Sequence, residues 1–383
     1  MGLFTVNNNF PAQVSYGPGL AARIEWDSDA PRVLIITDRG LLNTPNIASI
    51  IKRFPQAELY AELTGEPTSE MVDAALRFSR KEPYDLVIGI GGGSVLDTAK
   101  VVAALRLDKM ETVAEAFGKD RVNPRKTRLG LIPTTAGTGS EATPNSIIKS
   151  GTDGVKQAVI SKELLPDWVV LDPELTLSLP PAITASTGMD ALCHCIESAL
   201  SVNANEISKA YSYHGIKLLS ENIEQAVENG ADLEARGGML LGSFFGGLAL
   251  TIAGTTAVHA LSYPLGKRGV PHGVANGMLL PWILEYNLPY CEAQLMAFAP
   301  YLRSQKPLRS AVDIVALLFG YLTRFPVPKA LDEVGIAPEI LPELAAEAME
   351  QKRLLANNPR LVSVTEAEAI YREILHKTKR VMS

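Results

Sequence analysis

Short apolar runs alternate with helix-like stretches in the first half of the chain. The runs "PRVLIITD" (31–38) and "YDLVIGIGGG" (84–93) are almost wholly apolar and end in polar or glycine residues, which is typical of buried parallel strands. Further strands are predicted at 57–63, 128–135 and 168–176, and helices at 41–53, 67–81 and 94–105. This alternation predicts a parallel sheet covered by helices.

The pattern changes after "LSLPPAITAS" (177–186), where Pro180 and Pro181 are interpreted as a hinge between two halves of the chain. No convincing strand pattern follows. Helical spacing predicts helices at about 183–202, 206–228, 233–263, 308–323 and 339–352. With 383 residues the chain is long for a single core. We therefore predict an α/β domain over 1–178 and an all-helical domain over 179–383.

Composition and charge exclude several classes of partner. Hydrophobic residues make up 46% of the chain and charged residues 20%, which is ordinary for a soluble globular protein. The formal net charge is −6 and no Lys/Arg-rich run occurs, so nucleic acid and anionic membranes are not expected partners. No uncharged apolar run reaches the roughly 18 residues of a membrane span. The most apolar stretch, 237–265, is rich in Gly, Ala and Thr and is interpreted as a buried helix.

The three cysteines do not predict a disulfide framework. Cys193 and Cys195 are too close in sequence to pair with each other, and Cys291 stands alone. The opening "MGLFTVNNNF" lacks the basic and apolar regions of a signal peptide. We therefore expect a cytoplasmic protein in a reducing compartment.

Two loops rich in small and hydroxyl residues follow predicted strands. "GIGGGSVLDTAK" (89–100) lies where a strand ends and a helix begins, a position at which free backbone N–H groups favour phosphate. "PTTAGTGSEAT" (133–143) offers hydroxyls and N–H groups after another strand. Asp38 ends the first strand, where its carboxylate is placed to accept from a ribose hydroxyl and to repel a 2′-phosphate. These features predict a dinucleotide site that favours NAD over NADP.

The segment "GMDALCHCIE" (188–197) carries candidate metal ligands on a predicted helix. Asp190 and His194 are four residues apart and therefore share one helix face. Cys193 and Cys195 point roughly 100° to either side of His194. They cannot converge with it on one ion, so we interpret both cysteines as small core residues.

Two further histidines lie in settings that suggest ligands. His259 is embedded in the apolar "TTAVHALSYPLG", where a buried imidazole needs a partner. His272 lies in "GVPHGVANG", between residues that restrict the backbone. His214 and His376 lack such settings and are interpreted as structural. Asp190, His194, His259 and His272 together suit a divalent ion such as Fe²⁺ or Zn²⁺.

The ordered set of these motifs resembles the iron-containing (group III) alcohol dehydrogenase family over essentially the whole chain. The matching motifs are "GGGSVLDTAK", "PTTAGTGSEAT", "GMDALCHCIE", "VHALSYPLG" and "VPHGVANG". The resemblance implies a Rossmann-like domain and an all-helical domain, the architecture shared with dehydroquinate synthase, with catalysis in the cleft between them. It also implies a homodimer or larger homo-oligomer.

The resemblance also implies roles for individual residues. By motif position the metal ligands are Asp190, His194, His259 and His272. The implied NAD contacts are Gly91, Gly92, Gly93, Ser94, Asp97, Thr134, Thr135, Thr138 and Lys156, with Asp38 as the residue that favours NAD. Asn145 and Leu250 fall where the family lines its substrate pocket.

Three features depart from the family pattern. Tyr263 stands where many members have a second histidine, which puts a proton-relay role there in doubt. Leu250 stands where several members have Phe, which predicts a wider pocket. The loop 266–273 is one residue shorter than usual and holds Lys267 and Arg268 close to His272. These cations suggest a short aldehyde with a negative charge as substrate.

The predicted reaction is reversible hydride transfer between NAD(H) and a primary alcohol or aldehyde, aided by the metal. One alternative is an NAD- and metal-dependent lyase of the dehydroquinate synthase kind, although the predicted ligand set speaks against it. A second alternative is a metal-free binding protein on the same fold, which the presence of all four ligands disfavours.

Overall fold

The computed structural model describes residues 10–23, 32–151 and 154–376. The described residues divide into two compact units, one within 10–178 and the other within 179–376. The first unit combines strands with helices. The described residues of the second unit form helices and contain no strand.

The first unit has the alternating elements that its hydrophobic pattern predicts. Its strands are β1 (Gln13–Tyr16), β2 (Val33–Asp38), β3 (Glu58–Leu63), β4 (Leu86–Gly91), β5 (Gly118–Lys119), β6 (Arg128–Pro133), β7 (Asn145–Lys149), β8 (Lys156–Ile160) and β9 (Trp168–Leu171). Its helices are α1 (Pro45–Ile51), α2 (Ser69–Ser79) and α3 (Gly93–Leu105), and 3-10 turns cover Val113–Ala116, Ser140–Ala142, Lys162–Leu164 and Pro173–Thr176.

Six of the described strands form one parallel sheet in the order β1-β9-β6-β4-β2-β3. Both faces are buried, because successive side chains alternate between two apolar clusters. Leu34 and Ile36 of β2 pack with residues of α2 and α3, whereas Val33 and Ile35 pack with residues of α1. Burial on both faces explains the continuous apolar runs in the sequence.

The sheet order places three loops together. The central strands β2, β4 and β6 are neighbours, and parallel strands end at the same edge of a sheet. Gly91, the last residue of β4, lies in register with Pro133, the last residue of β6. The two loops singled out in the sequence therefore begin side by side, next to Asp38 at the end of β2.

Some elements of this unit differ from the sequence predictions. The strand predicted over 168–176 ends at Leu171, because the Asp172 side chain accepts from the Glu174 N–H and begins a 3-10 turn. A second sheet, in the order β5-β8-β7, was not predicted. Its strands have two to five residues and are only partly buried, so they carry little periodic signal.

The second unit is built from helices of very different lengths. They are α4 (Pro181–Leu200), α5 (Glu206–Glu228), α6 (Leu233–Ala253), α7 (Ala257–Lys267), α8 (His272–Phe298), α9 (Ala311–Arg324), α10 (Leu341–Ala348), α11 (Lys352–Leu355) and α12 (Val364–Ile374). Short 3-10 turns cover Ala299–Tyr301, Asp332–Val334 and Pro338–Ile340. The centre is α4, in which every residue from Gly188 to Leu200 is buried.

The single helix predicted over 233–263 is wrong, because the structure divides this stretch into α6 and α7. The break is at Gly254, whose φ of 74° and ψ of 173° are open only to glycine. The long helix α8 was also not predicted. It contains Pro281 and Pro289 and a non-helical residue, Cys291, and these interrupt the pattern expected of a helix.

Among the described residues, α6 alone is long and apolar enough to cross a membrane. However, 67% of its most apolar window is buried inside the protein, where it packs against α4 and α5. Glycine makes this packing close, since a Cβ at Gly242 would lie 2.6 Å from Leu219 Cγ. The predicted burial of this apolar stretch is therefore confirmed for α6, although the stretch forms two helices and not one.

Candidate functional site

A row of polar side chains crosses the buried face of α4. Asp190, His194 and Glu197 follow one another at helical spacing, so they point to the same side. Their exposed fractions are 2%, 5% and 1%. Polar groups buried to this extent need partners, and α7 and α8 supply them.

Helices α7 and α8 bring two histidines to this row. The ligand atoms of Asp190, His194, His259 and His272 all lie within 4.8 Å of one another. The Oδ1 atom of Asp190 is 3.9 Å from His194 Nε2 and 3.8 Å from His272 Nε2. The structure thus brings together all four residues that the sequence singled out for a metal.

The cluster is enclosed except at one member. His259 is 3% exposed, whereas the side chain of His272 is 25% exposed. His272 is the first residue of α8, which explains why its ring reaches the boundary of the buried region. His272 is thus the member of the cluster that is most exposed to solvent.

Asp190 is ionised in this setting. Burial raises the pKa of its carboxyl, but the facing imidazoles of His194, His272 and His259 and the Asn276 amide outweigh burial and hold the pKa at about 2. A negative charge therefore lies among three imidazoles, in a place from which water is largely excluded.

Asn276 is a residue of this site that the sequence did not reveal. It lies one turn after His272 on α8 and is completely buried. Its Nδ2 is 2.6 Å from Asp190 Oδ1 and 3.1 Å from the Nε2 atoms of His259 and His272. Its Oδ1 is buried and has no hydrogen-bond partner. The spacing of four residues from His272 was the available signal.

Glu197 is a second such residue. Its Oε2 contacts His259 Nδ1, and its Oε1 accepts from Thr256 and Val258 at the start of α7. A glutamate three residues after His194 on a buried helix was the signal in the sequence. This signal is weak, because glutamates in helices usually face solvent.

The cysteines lie outside the ligand cluster. Cys193 Sγ is 3.5 Å from the Asn276 backbone oxygen, and Cys195 Sγ is 3.9 Å from that of Gly242. Burial raises the pKa of both thiols well above the ordinary value. Both side chains are therefore packed as core residues, and the group of converging ligand atoms contains neither of them.

The other two histidines are also outside the cluster. The His214 ring packs edge-on against Phe245, with centroids 4.7 Å apart. His376 is exposed and its Nδ1 is 2.7 Å from Asp332 Oδ2.

In the first unit, the two loops at the sheet edge contact each other. The N–H of Thr134 donates to the Gly91 backbone oxygen over 3.0 Å. A Cβ at Gly93 would lie 2.7 Å from Thr138 Cγ2, and a Cβ at Gly92 3.5 Å from Thr135. Thr134, Thr135 and Thr138 thus line the turn from Gly91 to Ser94, at the amino end of α3, where backbone N–H groups are open to an anion.

Asp97 holds this arrangement together from inside. Ser140 Oγ donates to its Oδ1 over 2.5 Å, and the Ile147 N–H donates to its Oδ2 over 2.8 Å. The fully buried Lys100 ammonium lies 3.3 Å from the same Oδ1. These contacts favour a role for Asp97 in fixing the second loop against α3.

Two more predicted cofactor residues have defined contacts. Asp38 accepts through Oδ1 from the N–H groups of Gly40 and Leu41, which fixes its carboxylate at the end of β2. Lys156 on β8 forms an ion pair with Glu66 over 3.0 Å. The role of Lys156 toward a cofactor ribose stays a prediction.

The predicted substrate residues lie at several places. Asn145 begins β7 and accepts from Lys100 Nζ through its backbone oxygen over 2.6 Å. Leu250 is half-buried on α6. Tyr263 is half-buried on α7, and its ring centroid is 6.1 Å from that of His272.

Lys267 and Arg268 pair with carboxylates of α10. Lys267 Nζ is 2.6 Å from Glu347 Oε1, and Arg268 lies 2.5 Å from Glu347 Oε2 and 2.9 Å from Glu343 Oε1. Arg268 also donates to the Pro264 backbone oxygen. These contacts join the end of α7 to α10, and the paired charges give no support to the predicted binding of an anionic substrate.

Comparison with known families matches nearly the whole chain. Residues 11–173 match the family described as "Iron-containing alcohol dehydrogenase". Residues 184–375 match the one described as "Fe-containing alcohol dehydrogenase family, C-terminal".

Individual relatives agree with these families. Long-chain-alcohol dehydrogenase 1 of Geobacillus thermodenitrificans is 36% identical over 353 residues, which cover 89% of each chain. The crystal structure of a 1,3-propanediol oxidoreductase matches with a TM-score of 0.90 and 28% identity, covering 96% of this chain and 98% of that chain. Sulfoacetaldehyde reductase from Bifidobacterium kashiwanohense, solved in complex with NAD⁺, matches with a TM-score of 0.89 and 26% identity, covering 97% and 99%. The predicted fold class is confirmed.

Glu141, in the second loop, generates a prediction about pH. It is 1% exposed, and its Oε1 is buried without a hydrogen-bond partner. Burial raises its pKa from the ordinary 4.5 to about 7. Between these values the folded state binds more protons than the unfolded state, so the free energy of unfolding falls as the pH rises. Relative to Glu141→Gln, we expect the wild type to lose up to about 3 kcal/mol between pH 4.5 and 7.

Chemical denaturation at a series of pH values measures this difference. Glu339→Gln, which changes an exposed glutamate, is the matched control and should follow the wild-type curve. Parallel curves for the wild type and Glu141→Gln would show that Glu141 does not titrate as described.

Proposed function

The chain belongs to the iron-containing alcohol dehydrogenase family, and we propose that it transfers hydride between NAD(H) and a primary alcohol or aldehyde at a metal held by Asp190, His194, His259 and His272. The observation that carries this proposal is the convergence of one carboxylate and three imidazoles within 4.8 Å. The family prediction is confirmed by the matches, and the assignment of individual residues is our proposal.

The residues present fit a divalent cation. An ionised carboxylate and imidazole nitrogens are ligands that Fe²⁺ and Zn²⁺ both accept. The Asn276 amide nitrogen has two hydrogens but faces three acceptors, and its oxygen has no donor. The acceptor atoms of Asp190, His259 and His272 therefore face one another in a buried place, where a positive charge would stabilise them. The ligand set suits both ions. We propose Fe²⁺ as the metal, because the chain belongs to an iron-containing family, and Zn²⁺ as the alternative.

The metal and NAD(H) would supply the reactive groups, and the protein would hold and surround them. A metal supplies Lewis acidity toward the substrate oxygen, and NAD(H) supplies the hydride acceptor or donor. Asp190 contributes the negative charge that offsets a dication, and the histidines contribute neutral ligands. Burial around Asp190, His194 and His259 excludes bulk water, while the partly exposed His272 marks the side from which a substrate enters.

NAD(H) fits the sheet edge of the first unit. The turn from Gly91 to Ser94 offers backbone N–H groups to the pyrophosphate, and the threonines at 134, 135 and 138 line it. Asp38 faces the same edge as a ribose contact. The NAD⁺ complex of the structurally similar sulfoacetaldehyde reductase supports this cofactor.

The two alternatives are less well supported. The relatives named above are dehydrogenases or reductases, and this favours net hydride transfer over a lyase. The converging ligand cluster disfavours a metal-free binding protein.

We also propose a cytoplasmic homo-oligomer. The three cysteines are free thiols, as in a reducing compartment. The edge strand β1 exposes Val14 and Tyr16, and exposed sheet edges favour pairing with another chain.

The metal assignment predicts a selective loss in single variants. Asp190→Ala, His194→Ala, His259→Ala and His272→Ala should each abolish NADH oxidation and reduce bound metal, because each removes a ligand. Metal content after anaerobic Fe²⁺ loading and desalting measures the effect.

Three matched controls should keep the metal. They are His214→Ala, which removes a histidine outside the cluster, and Cys193→Ser and Cys195→Ser, which change the thiols beside His194. Loss of metal in either cysteine variant, together with full retention in His259→Ala, would contradict the ligand set.

The cofactor assignment predicts a change in specificity. Asp38→Gly should raise kcat/KM for NADP(H) relative to NAD(H), because a carboxylate at the ribose repels a 2′-phosphate. The measurement compares both cofactors with one aldehyde. A wild-type enzyme that prefers NADPH would refute the role of Asp38.

The ion pairs that Arg268 forms with Glu343 and Glu347 of α10 predict how the variant Arg268→Gln will act on charged and neutral substrates. Since Arg268 already pairs with Glu347 and Glu343, its loss should affect an anionic aldehyde and a neutral one of equal length by the same factor. The test compares kcat/KM for both substrates. A loss of tenfold or more for the anionic aldehyde alone would restore the anion-binding role that the sequence suggested.

A further inference from the structure

Glu197 links two of the helices that carry the proposed metal ligands. It lies on α4, one turn after His194, and its side chain reaches the start of α7. Its two carboxylate oxygens have different partners. Oε1 accepts from the Thr256 N–H over 3.1 Å, the Thr256 hydroxyl over 2.6 Å and the Val258 N–H over 2.8 Å. Oε2 contacts His259 Nδ1.

We propose that Glu197 is a positioning residue that holds His259 in the tautomer able to bind a metal. A carboxylate only accepts hydrogen bonds, so the ring nitrogen that faces it must carry the hydrogen. In a neutral imidazole this leaves Nε2 with a free lone pair. The inference rests on the proposed metal-binding role of His259 and adds the residue that prepares it.

The opposite side of the ring agrees with this tautomer. His259 Nε2 lies 3.1 Å from Asn276 Nδ2, which is a donor. A donor that faces Nε2 is compatible with a lone pair on that nitrogen and a hydrogen on Nδ1. The neighbour on α4 thus favours this tautomer, and the neighbour on α8 is compatible with it.

Glu197 also fixes where α7 begins. Thr256 is the N-cap of α7, but its own side chain makes no capping hydrogen bond. The Glu197 Oε1 accepts from the open N–H groups of Thr256 and Val258 in its place. Because Asp190, His194 and Glu197 share one rigid helix, this contact ties the position of His259 to the two ligands on α4.

Because the two carboxylate oxygens of Glu197 have different partners, the variant Glu197→Gln tests the proposed tautomer directly. The amide has one acceptor atom, and the Oε1 position faces three donors, so the amide oxygen takes that position. Its NH₂ group then faces His259 Nδ1 and requires that nitrogen to accept. The hydrogen moves to Nε2, which loses its lone pair for the metal. We expect the Fe²⁺ affinity of this variant to fall 10- to 100-fold.

Thr256→Val is the matched control. It removes the 2.6 Å hydroxyl donor to Oε1 but leaves the two N–H donors and the contact with His259. It therefore perturbs the start of α7 without changing the tautomer. We expect its Fe²⁺ affinity, measured by competition with a chelator, to stay within about threefold of the wild type.

The tautomer itself can be read in the metal-free protein by ¹⁵N–¹H correlation spectroscopy of the imidazoles, with His259→Gln used for assignment. We expect Nδ1–H for His259 in the wild type and in Thr256→Val, and Nε2–H in Glu197→Gln. NAD⁺ binding to the metal-free variants, followed by fluorescence, shows that the chain remains folded.

Three results would overturn the proposal. They are an Nε2–H tautomer in the wild type, an unchanged Fe²⁺ affinity in Glu197→Gln, and an equal loss of affinity in Thr256→Val. The wild-type spectrum decides the matter even if Glu197→Gln does not fold. If His259→Ala loses the metal while Glu197→Gln keeps it, only this inference fails. If both keep the metal, the proposed ligand set fails as well.

Discussion

The helical unit depends on the burial of two carboxylates on one face of α4. Asp190 and Glu197 are each almost fully enclosed, and burial of this kind is unfavourable unless donors or positive charge offset it. Asp190 meets Asn276 and the imidazoles around it, and Glu197 meets the start of α7 and His259. The helices that carry these partners are thereby fixed around α4, and a cluster of converging acceptors is left between them.

The α/β unit uses a buried carboxylate in a similar way. Asp97 on α3 accepts from Ser140 and Ile147 and lies beside the buried ammonium of Lys100. These contacts hold the threonine-rich loop against the glycine turn at the amino end of α3. In both units, a buried acid on a helix positions the loop or helix that carries the proposed ligand-binding groups.

Residues with a local signal could be predicted from the sequence, and residues defined by distant partners could not. The four-residue spacing of Asp190 and His194 and the sequence settings of His259 and His272 were enough to predict the candidate ligand cluster. Glu197 and Asn276 carry only their helical spacing from His194 and His272, and the approach of α7 and α8 is what shows that both side chains are buried beside these histidines. The break at Gly254 was hidden in a stretch rich in small apolar residues. Lys267 and Arg268 suggest an anion site from the sequence alone, and only the structure shows that carboxylates of α10 pair with them.

X-ray absorption spectroscopy at the zinc edge, on protein loaded with one Zn²⁺ per chain, tests the central claim most directly. If Asp190 and the three histidines hold the metal, the first shell contains only nitrogen and oxygen, at about 2.0–2.2 Å, with the outer scattering typical of imidazole. A sulfur shell at about 2.3 Å would place Cys193 or Cys195 on the metal. That result would contradict both the ligand set and the role of the α4 carboxylates.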